Sequence, residues 1–484
     1  MPEEHSVEVK WSGRDEFKLK ALIAQESMGR PFWTELRLLC EKPDIKFDDV
    51  VGKTMAVKYT DAKKNTTSFF HGYVADFVLS EADNETKTKE MKLYGYRATL
   101  VPWNWLLTRS QDCKIFQSKS IPDIIKQVSK DRGFTDIDDK LTGSYKNLDY
   151  TVQYRESDFN FISRLMEQEG IYYFYEQKEN KHDLVLVDAS TGHNKSGAPS
   201  LIFRGLDSSR TEEEDSVRDW LVHHKLQSVE YHLTDFDFEK PTADLLSKSK
   251  ITQKHEQNKA IVFDYPGKFI VTKDGENYAK INIQRLQSRH EIVSGRSVVQ
   301  AVRAGQVITL KEHPRADQNR DYLVIESRIR INPEMYGSGE AAGAGQRGSN
   351  TYECEFKAID LQVPYRPERI TPRPVVHGPQ TAVVVGKKGE EIWTDKYGRI
   401  KVQFHWDREG KKDENSSCWI RVAQIGAGTQ WGMIHIPRMG QEVMVEFLEG
   451  DPDRPIVTGV VYNADRMPPY TLPDNMTQTG LKTR

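Results

Sequence analysis

Apolar and polar residues alternate with a period of two over much of the first hundred positions, which predicts β-strands. Thr54–Tyr59 (TMAVKY) sets Met55, Val57 and Tyr59 on one face. His71–Leu79 (HGYVADFVL) sets Tyr73, Ala75 and Phe77 opposite Val74, Asp76 and Val78. Polar stretches at Asp61–Thr67 and Ser80–Lys89 read as connections. The pattern is that of an antiparallel barrel or sandwich.

The period then lengthens. Ser120-Ile121-Pro122-Asp123 is a helix start, with a Ser cap, Pro in the first turn and an acid three residues on. Ile121, Ile124, Ile125 and Val128 follow at helical spacing, and Gly133 is the expected stop. A second helix is predicted from Ser157 to Gly170, with Phe159, Ile162, Leu165 and Met166 inward, followed at once by the strand Ile171–Tyr175. From about Ser200 the strand pattern returns. Gly275–Arg289 reads as a helix, and strands are expected at Ser297–Val302, Gln306–Lys311 and Tyr322–Ile331. The acidic run Thr211–Asp215 reads as a solvated loop, and Gly337–Gly348 as a long flexible one.

A weak internal repeat runs through these halves. Gly52–Lys58 is similar to Gly305–Lys311, and Tyr96–Trp103 to Phe356–Tyr365 with two extra residues. Duplication and chance matching of β patterns both account for it. Beyond the proline-rich stretch Pro364–Pro379, short strands are expected at Thr381–Lys387, Arg399–Trp406, Cys418–Gln424, Gly432–Ile436, Gln441–Leu448 and Pro455–Tyr462. Within the second of these, Ile400, Val402, Phe404 and Trp406 share a face. This is the pattern of an OB-type barrel. Met467–Arg484 is a polar tail without a core of its own.

The fold class is therefore mainly β (α+β): two tube-like β-barrels with an α/β insertion, then a C-terminal OB-fold barrel. The expected domains are 1–105 (first barrel), 106–200 (insertion), 201–372 (second barrel with a helix), 373–470 (OB) and 471–484 (a neck). The length of 484 residues suits this, at roughly 150 residues per domain. A mean hydropathy of -0.67 fits barrels with wet faces.

The charge balance removes one class of function. Lys and Arg total 69 against 72 Asp and Glu. Between Arg373 and Tyr470 the count is 13 against 13, so the OB-type unit lacks the basic footprint of a nucleic-acid binder despite its aromatics. Cys40, Cys113, Cys354 and Cys418 are far apart, which excludes a disulfide scaffold or a zinc ribbon and leaves buried free thiols. The N-terminus shows no signal peptide, and no apolar run reaches the roughly 20 residues of a membrane helix. The protein is expected to be made in the cytoplasm and to leave, if it leaves, by a route that reads no N-terminal signal.

Candidate chemistry is sparse. Gly52-Lys53-Thr54 ends like a phosphate loop, but Phe47 stands where the first glycine is needed and a strand follows. His223 and His224 are adjacent, so a strand points them to opposite faces. Glu449, Asp451 and Asp453 alternate in LEGDPDRP, where the prolines favour a rigid turn over a cation loop. No catalytic, cofactor-binding or metal-ligating residue is assigned, and the protein is expected not to be an enzyme.

Three long segments carry a resemblance. TDKYGRIKVQFHWDREG (Thr394–Gly410), CWIRVAQ (Cys418–Gln424) and IPRMGQEVMVEFLEGDPDRPIVTGVVYN (Ile436–Asn463) closely resemble the VgrG family, the spike proteins of type VI secretion. Upstream, FQSKSIPDII (Phe116–Ile125), VQYRESDFNFISRLMEQEGIYYFYE (Val152–Glu176) and FDYPGKF (Phe263–Phe269) resemble the family's hub. The resemblance implies a homotrimeric, pseudo-sixfold collar that sits on the Hcp tube. It further implies a β-helix needle after the OB domain, a PAAR-repeat tip protein, and effectors carried into the medium or a target cell by mechanical force, without stable membrane insertion. Family members continue past TQTGLKTR, so a shortened chain is expected. The alternatives are the hub of a phage or phage-derived contractile particle, and a cell-wall hydrolase.

Overall fold

In the computed structural model the described residues are 5–12, 14–86, 92–205, 215–333 and 352–483, without the side chains of 81–86. The expected loop Gly337–Gly348, and the acidic run up to Glu214, lie outside them. The chain divides into two units, each with its own core. One takes Met1–Leu107, Ser129–Ser144 and Leu165–Ile370; the other takes Thr108–Val128, Tyr145–Arg164 and Thr371–Arg484.

The first six strands are β1 (His5–Trp11), β2 (Lys18–Ser27), β3 (Arg30–Cys40), β4 (Thr54–Asp61), β5 (Thr66–Thr86) and β6 (Lys92–Val101). Strand β4 follows its pattern, with Met55, Val57 and Tyr59 all buried. In β5 the alternation breaks. A bulge between Val74 and Asp76 turns both Val74 and Phe77 inward, so the two faces expected for His71–Leu79 do not persist along the strand.

The insertion holds β7 (Gln111–Phe116), α1 (Ile121–Asp131), β8 (Ile137–Asp139), β9 (Thr151–Ser157), α2 (Asp158–Glu169), β10 (Tyr172–Gln177) and β11 (His182–Val187). Both helix starts are as read. The Asp123 N–H donates to Ser120 Oγ (3.3 Å), and the Asn160 N–H to Ser157 Oγ (3.1 Å). Gly133 and Gly170 end the helices with positive φ. On α2 it is Phe161, not Phe159, that is fully buried.

The later strands of this unit are β12 (Ser200–Phe203), β13 (Ser216–His224), β14 (Glu230–Leu233), β15 (Ser247–Lys250) and β16 (Ile261–Asp264). Helix α3 (Thr272–Gln287) follows, then β17 (Glu291–Ser297), β18 (Val307–Lys311), β19 (Asp321–Ile331) and β20 (Tyr352–Asp360). The strand expected at Ser297–Val302 lies earlier, because β17 ends where that reading began.

The repeat is real at the level of topology. The first barrel has the order β1-β4-β5-β6-β3-β2. The second closes as β12-β18-β19-β20-β17-β13, with β13 returning to β12. Pairing the strands in chain order gives the same arrangement twice. The backbone agrees in detail. The Gly52 N–H donates to Val74 O and the Val74 N–H to Lys53 O; the Gly305 N–H donates to Val324 O and the Val324 N–H to Gln306 O. A bulge follows each valine, between Val74 and Asp76 and between Val324 and Glu326. These bulges align Leu100 with Ala358, two residues away from the alignment the sequence suggests. A two-residue slip keeps every side chain on its face, so the pattern cannot reveal it.

The copies are not identical. Strand β12 is parallel to both neighbours, whereas β1 is antiparallel to β4. The barrels join through a ladder between β2 and β19, so all twelve strands form one sheet over a shared core. A second apolar cluster packs Tyr172, Phe174, Val185 and Val187 of the insertion against Met28, Ala304, Leu323 and Ile359.

The other unit contains the OB barrel: β21 (Gln380–Val385), β22 (Lys401–Phe404), β23 (Arg421–Val422), β24 (Gly426–Gly428), β25 (Trp431–Met433), β26 (Glu442–Phe447) and β27 (Pro455–Val461). Its sheet runs β22-β21-β26-β27-β23, and two hydrogen bonds between Ile400 and Ile420 close it. Ile400, Val402 and Phe404 fill it, as expected, while Trp406 is only half-buried.

The paired glycines give a test. Both Gly52 (φ 80°) and Gly305 (φ 88°) are left-handed, but a Cβ at Gly52 meets nothing within 4 Å, whereas at Gly305 it would stand 2.3 Å from the Phe174 ring. Gly52→Ala should cost about 1 kcal/mol from conformation alone. Gly305→Ala should cost roughly 3 kcal/mol, since overpacking adds to the same strain. Equal losses in urea denaturation would show that Phe174 does not press on this turn.

Candidate functional surface

The fold gives each motif singled out in the sequence a place. Gly52 makes the turn into β4, and no helix follows to cradle an anion. His223 and His224 are exposed on β13, where His224 Nε2 lies 3.4 Å from Glu291 and 5.3 Å, ring to ring, from His290. Asp453 is a clamp on β9: its carboxylate accepts the Val152 N–H (2.7 Å) and the Thr151 hydroxyl (3.2 Å). Asp451 in turn accepts the Asp453 N–H at 3.1 Å. Among the described residues, no group of three or more His, Cys, Asp or Glu side chains is arranged to hold a metal ion.

Several OB aromatics are committed inward or to each other. Phe404 stacks on Trp406, whose Nε1 donates to Gln380 (2.9 Å), and Gln380 donates to the Tyr154 hydroxyl (2.7 Å). Trp431 on the β24–β25 hairpin is 72% exposed. The cysteines are free; burial pushes the Cys418 thiol up to about 12 and raises Cys354 further, which makes both poor nucleophiles.

A surface groove is lined by Gln25, Asp219, Arg296, Glu326, Arg328 and Lys357, among others. Two ion pairs lie within it. Lys357 lies 2.7 Å from Glu326, and Arg296 is paired with Asp219.

Two buried polar systems that lock this unit have no local signature in the chain. In the first, Glu26 of β2 pairs with Arg303, whose Nε donates to it at 3.2 Å. Arg303 also donates to Phe69 O (2.9 Å) and lies over the Phe70 ring. Ser327 of β19 completes the clasp by donating to Glu26 (3.4 Å) and accepting the Ala304 N–H (3.3 Å). Three elements from both barrels thus meet on one carboxylate. Burial is the largest influence on the Arg303 guanidinium and lowers its affinity for a proton, but the charge and hydrogen bonds of Glu26, with Tyr352 and Cys354, together outweigh it and the net shift is upward.

In the second, the Trp103 N–H donates to His182 Nε2 (3.0 Å), so that nitrogen carries no proton. The His182 proton is then on Nδ1 and is donated to His71 Nδ1 at 3.0 Å. Both rings are held neutral. Burial pushes His71 down to about 4 and His182 down to about 3, against a weaker upward pull from Asp136 and Asp183. A third histidine, His193, donates from Nδ1 to Gly305 O (2.8 Å) and accepts the Tyr172 hydroxyl at Nε2 (3.1 Å).

Comparison with known proteins follows this division. The family model described as phage tail baseplate hub (GPD) matches residues 25–334, and the one described as type VI secretion system/phage-baseplate injector OB domain matches residues 380–462. The type VI secretion system spike proteins VgrG1a and VgrG1b of Pseudomonas aeruginosa are 46% and 45% identical to this chain over 98% of its length. The alignments cover 71% and 62% of those proteins, so the chain spans about two thirds of their length. The actin cross-linking toxin VgrG1 of Vibrio cholerae is 36% identical over 80% of this chain and 35% of its own length. Among solved structures, an Escherichia coli component of the type VI secretion system, described as similar to T4 bacteriophage tail proteins gp27 and gp5, matches with a TM-score of 0.65. The match has 19% identity, covers 94% of this chain and 99% of that one, and shows a shared fold.

Two outcomes test the polar locks. Arg303→Met leaves Glu26 buried without its cation and should cost about 3–5 kcal/mol, whereas pairing it with Glu26→Leu should recover most of that loss. Chemical denaturation of the single and double variants checks this; additive losses would mean the two side chains are not coupled. For the histidines, the sign follows from linkage. An unfolded imidazole titrates near 6.5, so below about that pH the unfolded chain binds more protons and stability falls toward pH 4. The loss between pH 7.5 and 5 should be on the order of 2 kcal/mol per ring. Melting curves of a His71→Gln, His182→Gln double variant should be flatter over that range than those of the unaltered protein; identical slopes would exclude the pair as the source.

Proposed function

Because the chain belongs to the VgrG family of type VI secretion spike proteins, we propose that it is the hub of a puncturing spike. In this reading three copies form a collar that caps the Hcp tube. The OB unit leads toward a needle bearing a PAAR-repeat tip and effectors. The work is mechanical: sheath contraction drives the tube forward, and axial force passes through the collar into the needle. The protein is made in the cytoplasm and delivered with the spike. The regions 1–105, 106–200, 201–372, 373–470 and 471–484 serve as first barrel, insertion, second barrel, OB unit and neck.

The observation that carries this reading is the duplicated barrel. One chain holds two six-stranded units of the same strand order joined edge to edge. Three chains therefore offer six similar units to a hexameric tube, which reconciles threefold and sixfold symmetry in one collar. Ladders of hydrogen bonds with few free edges suit a part that must not deform under load. The phage-particle alternative shares the fold, but relatives 45–46% identical over nearly the whole chain favour the secretion role. Of the acids that the sequence singled out, Asp451 and Asp453 are engaged in holding a turn and β9.

The test is deletion of the gene in a cell with an active secretion system. Hcp in the medium should fall to background and return when the gene is restored. Unchanged Hcp release, in a strain with no second spike gene, would overturn the proposal.

A further inference from the structure

Three histidines that the mechanical reading does not use come together beside the second barrel. His224 ends β13, His290 stands between α3 and β17, and His255 lies on the connection between β15 and β16. The ring centroids of His224 and His290 are 5.3 Å apart, and those of His255 and His290 are 5.7 Å apart.

The backbone accounts for the first pair. His224 is in register with Glu291, so the residue before Glu291 falls beside the end of β13. The Lys225 N–H donates to His290 O (2.8 Å), and His290 Nδ1 lies 2.8 Å from Lys225 O. A carbonyl only accepts, so Nδ1 carries the proton, and in the neutral ring Nε2 keeps its lone pair. Metal-ligating histidines have this arrangement, with the second nitrogen held by a carbonyl or carboxylate that fixes tautomer and ring. His255 supplies an independent observation. Both of its ring nitrogens are shielded from water, and neither has a hydrogen-bond partner among the described residues. A shielded imidazole without a partner is costly, and an ion that takes up a nitrogen lone pair relieves part of that cost.

We propose that His255 and His290 hold a divalent transition-metal ion of the Zn²⁺ class, with His224 as the third protein ligand. Imidazole nitrogens suit Zn²⁺, Cu²⁺ and Ni²⁺, whereas Mg²⁺ and Ca²⁺ take oxygen ligands. A tetrahedral Zn²⁺ about 2.0–2.1 Å from each nitrogen sets the centroids of its ligand rings roughly 5 Å apart, close to both separations in this cluster. The Glu291 carboxylate, 3.4 Å from His224 Nε2 and shared with Arg320, places negative charge beside the site. The three ligands are not yet set around one point, and binding draws them in. His290 is the member fixed by its hydrogen bond. His224 is exposed, and His255 lies outside any strand or helix, so each reaches the ion by side-chain rotation. The bound ion ties the connection within the small sheet β15-β14-β16 to β13 and to the start of β17. None of this depends on the hub reading.

The experiment uses the full chain, stripped with a chelator and then freed of it. Zn²⁺ is titrated in against a chromogenic competitor, and melting is followed with and without the ion. A single equivalent should bind and raise the melting temperature. His255→Gln should weaken binding by at least the roughly 10–100-fold that loss of a ligand's hydrogen-bond partner costs, and should abolish the melting shift. His224→Ala removes an exposed side chain, so it should weaken binding while leaving the metal-free melting temperature unchanged. His377→Ala, which removes an exposed histidine elsewhere, should change neither. If His255→Gln fails to fold, His224→Ala decides alone. No uptake of Zn²⁺ by the unaltered chain, or equal uptake by the His224 and His255 variants, would overturn the site.

Discussion

The hub unit depends on the seam between β2 and β19. A strand edge is a row of unsatisfied backbone donors and acceptors, and each barrel spends one such edge on the other. The ladder alone would permit sliding by two residues, because that shift preserves faces. The Glu26 carboxylate removes this freedom. It must meet Arg303 and Ser327 together, and a buried carboxylate displaced from its cation is costly. Arg303 lies just before Gly305, the turn that launches β18, so the second barrel's fold and the seam's register are fixed by the same few residues.

The insertion makes the two barrels unequal. Its aromatic strand β10 lays Phe174 against Gly305, and His193 accepts Tyr172 on one side while holding the Gly305 carbonyl on the other. The equivalent turn at Gly52 is open. The His71–His182 pair is a similar tie, carrying β5 of the first barrel to β11 of the insertion. Neutral imidazoles suit these positions because each offers one donor and one acceptor in a fixed direction, and burial keeps both rings uncharged.

Much of this was legible beforehand, and the parts that were not share a physical reason. Strand β4 and the OB strands could be read because one face is core and the other is wet, so alternation survives in the sequence. The helix starts could be read because Ser120 and Ser157 act on residues three positions away. The bulge near Ala75 could not, since a bulge is one added residue with no required side chain. Phe159 was favoured over Phe161 because helical periodicity does not say which flank of a helix a second element will cover. The clasp and the histidine pair join residues 277 and 111 positions apart, and nothing local marks them. Asp453, Glu26 and the His71–His182 pair tie strands together, each with a partner far away along the chain.

The charge clasp of the central seam has no counterpart at the matching positions of the duplicated fold. The positions matching Glu26 and Arg303 are His224, which is exposed, and Val50, which is buried. A buried ion pair suits a seam that forms once, during folding, because its partners are never left half-desolvated afterwards. The same pair split between two edges that must first exist in water would have to shed its hydration at every association, and the attraction would do little more than offset that. A buried ion pair at the β2–β19 seam is therefore suited to a contact made once, within one chain.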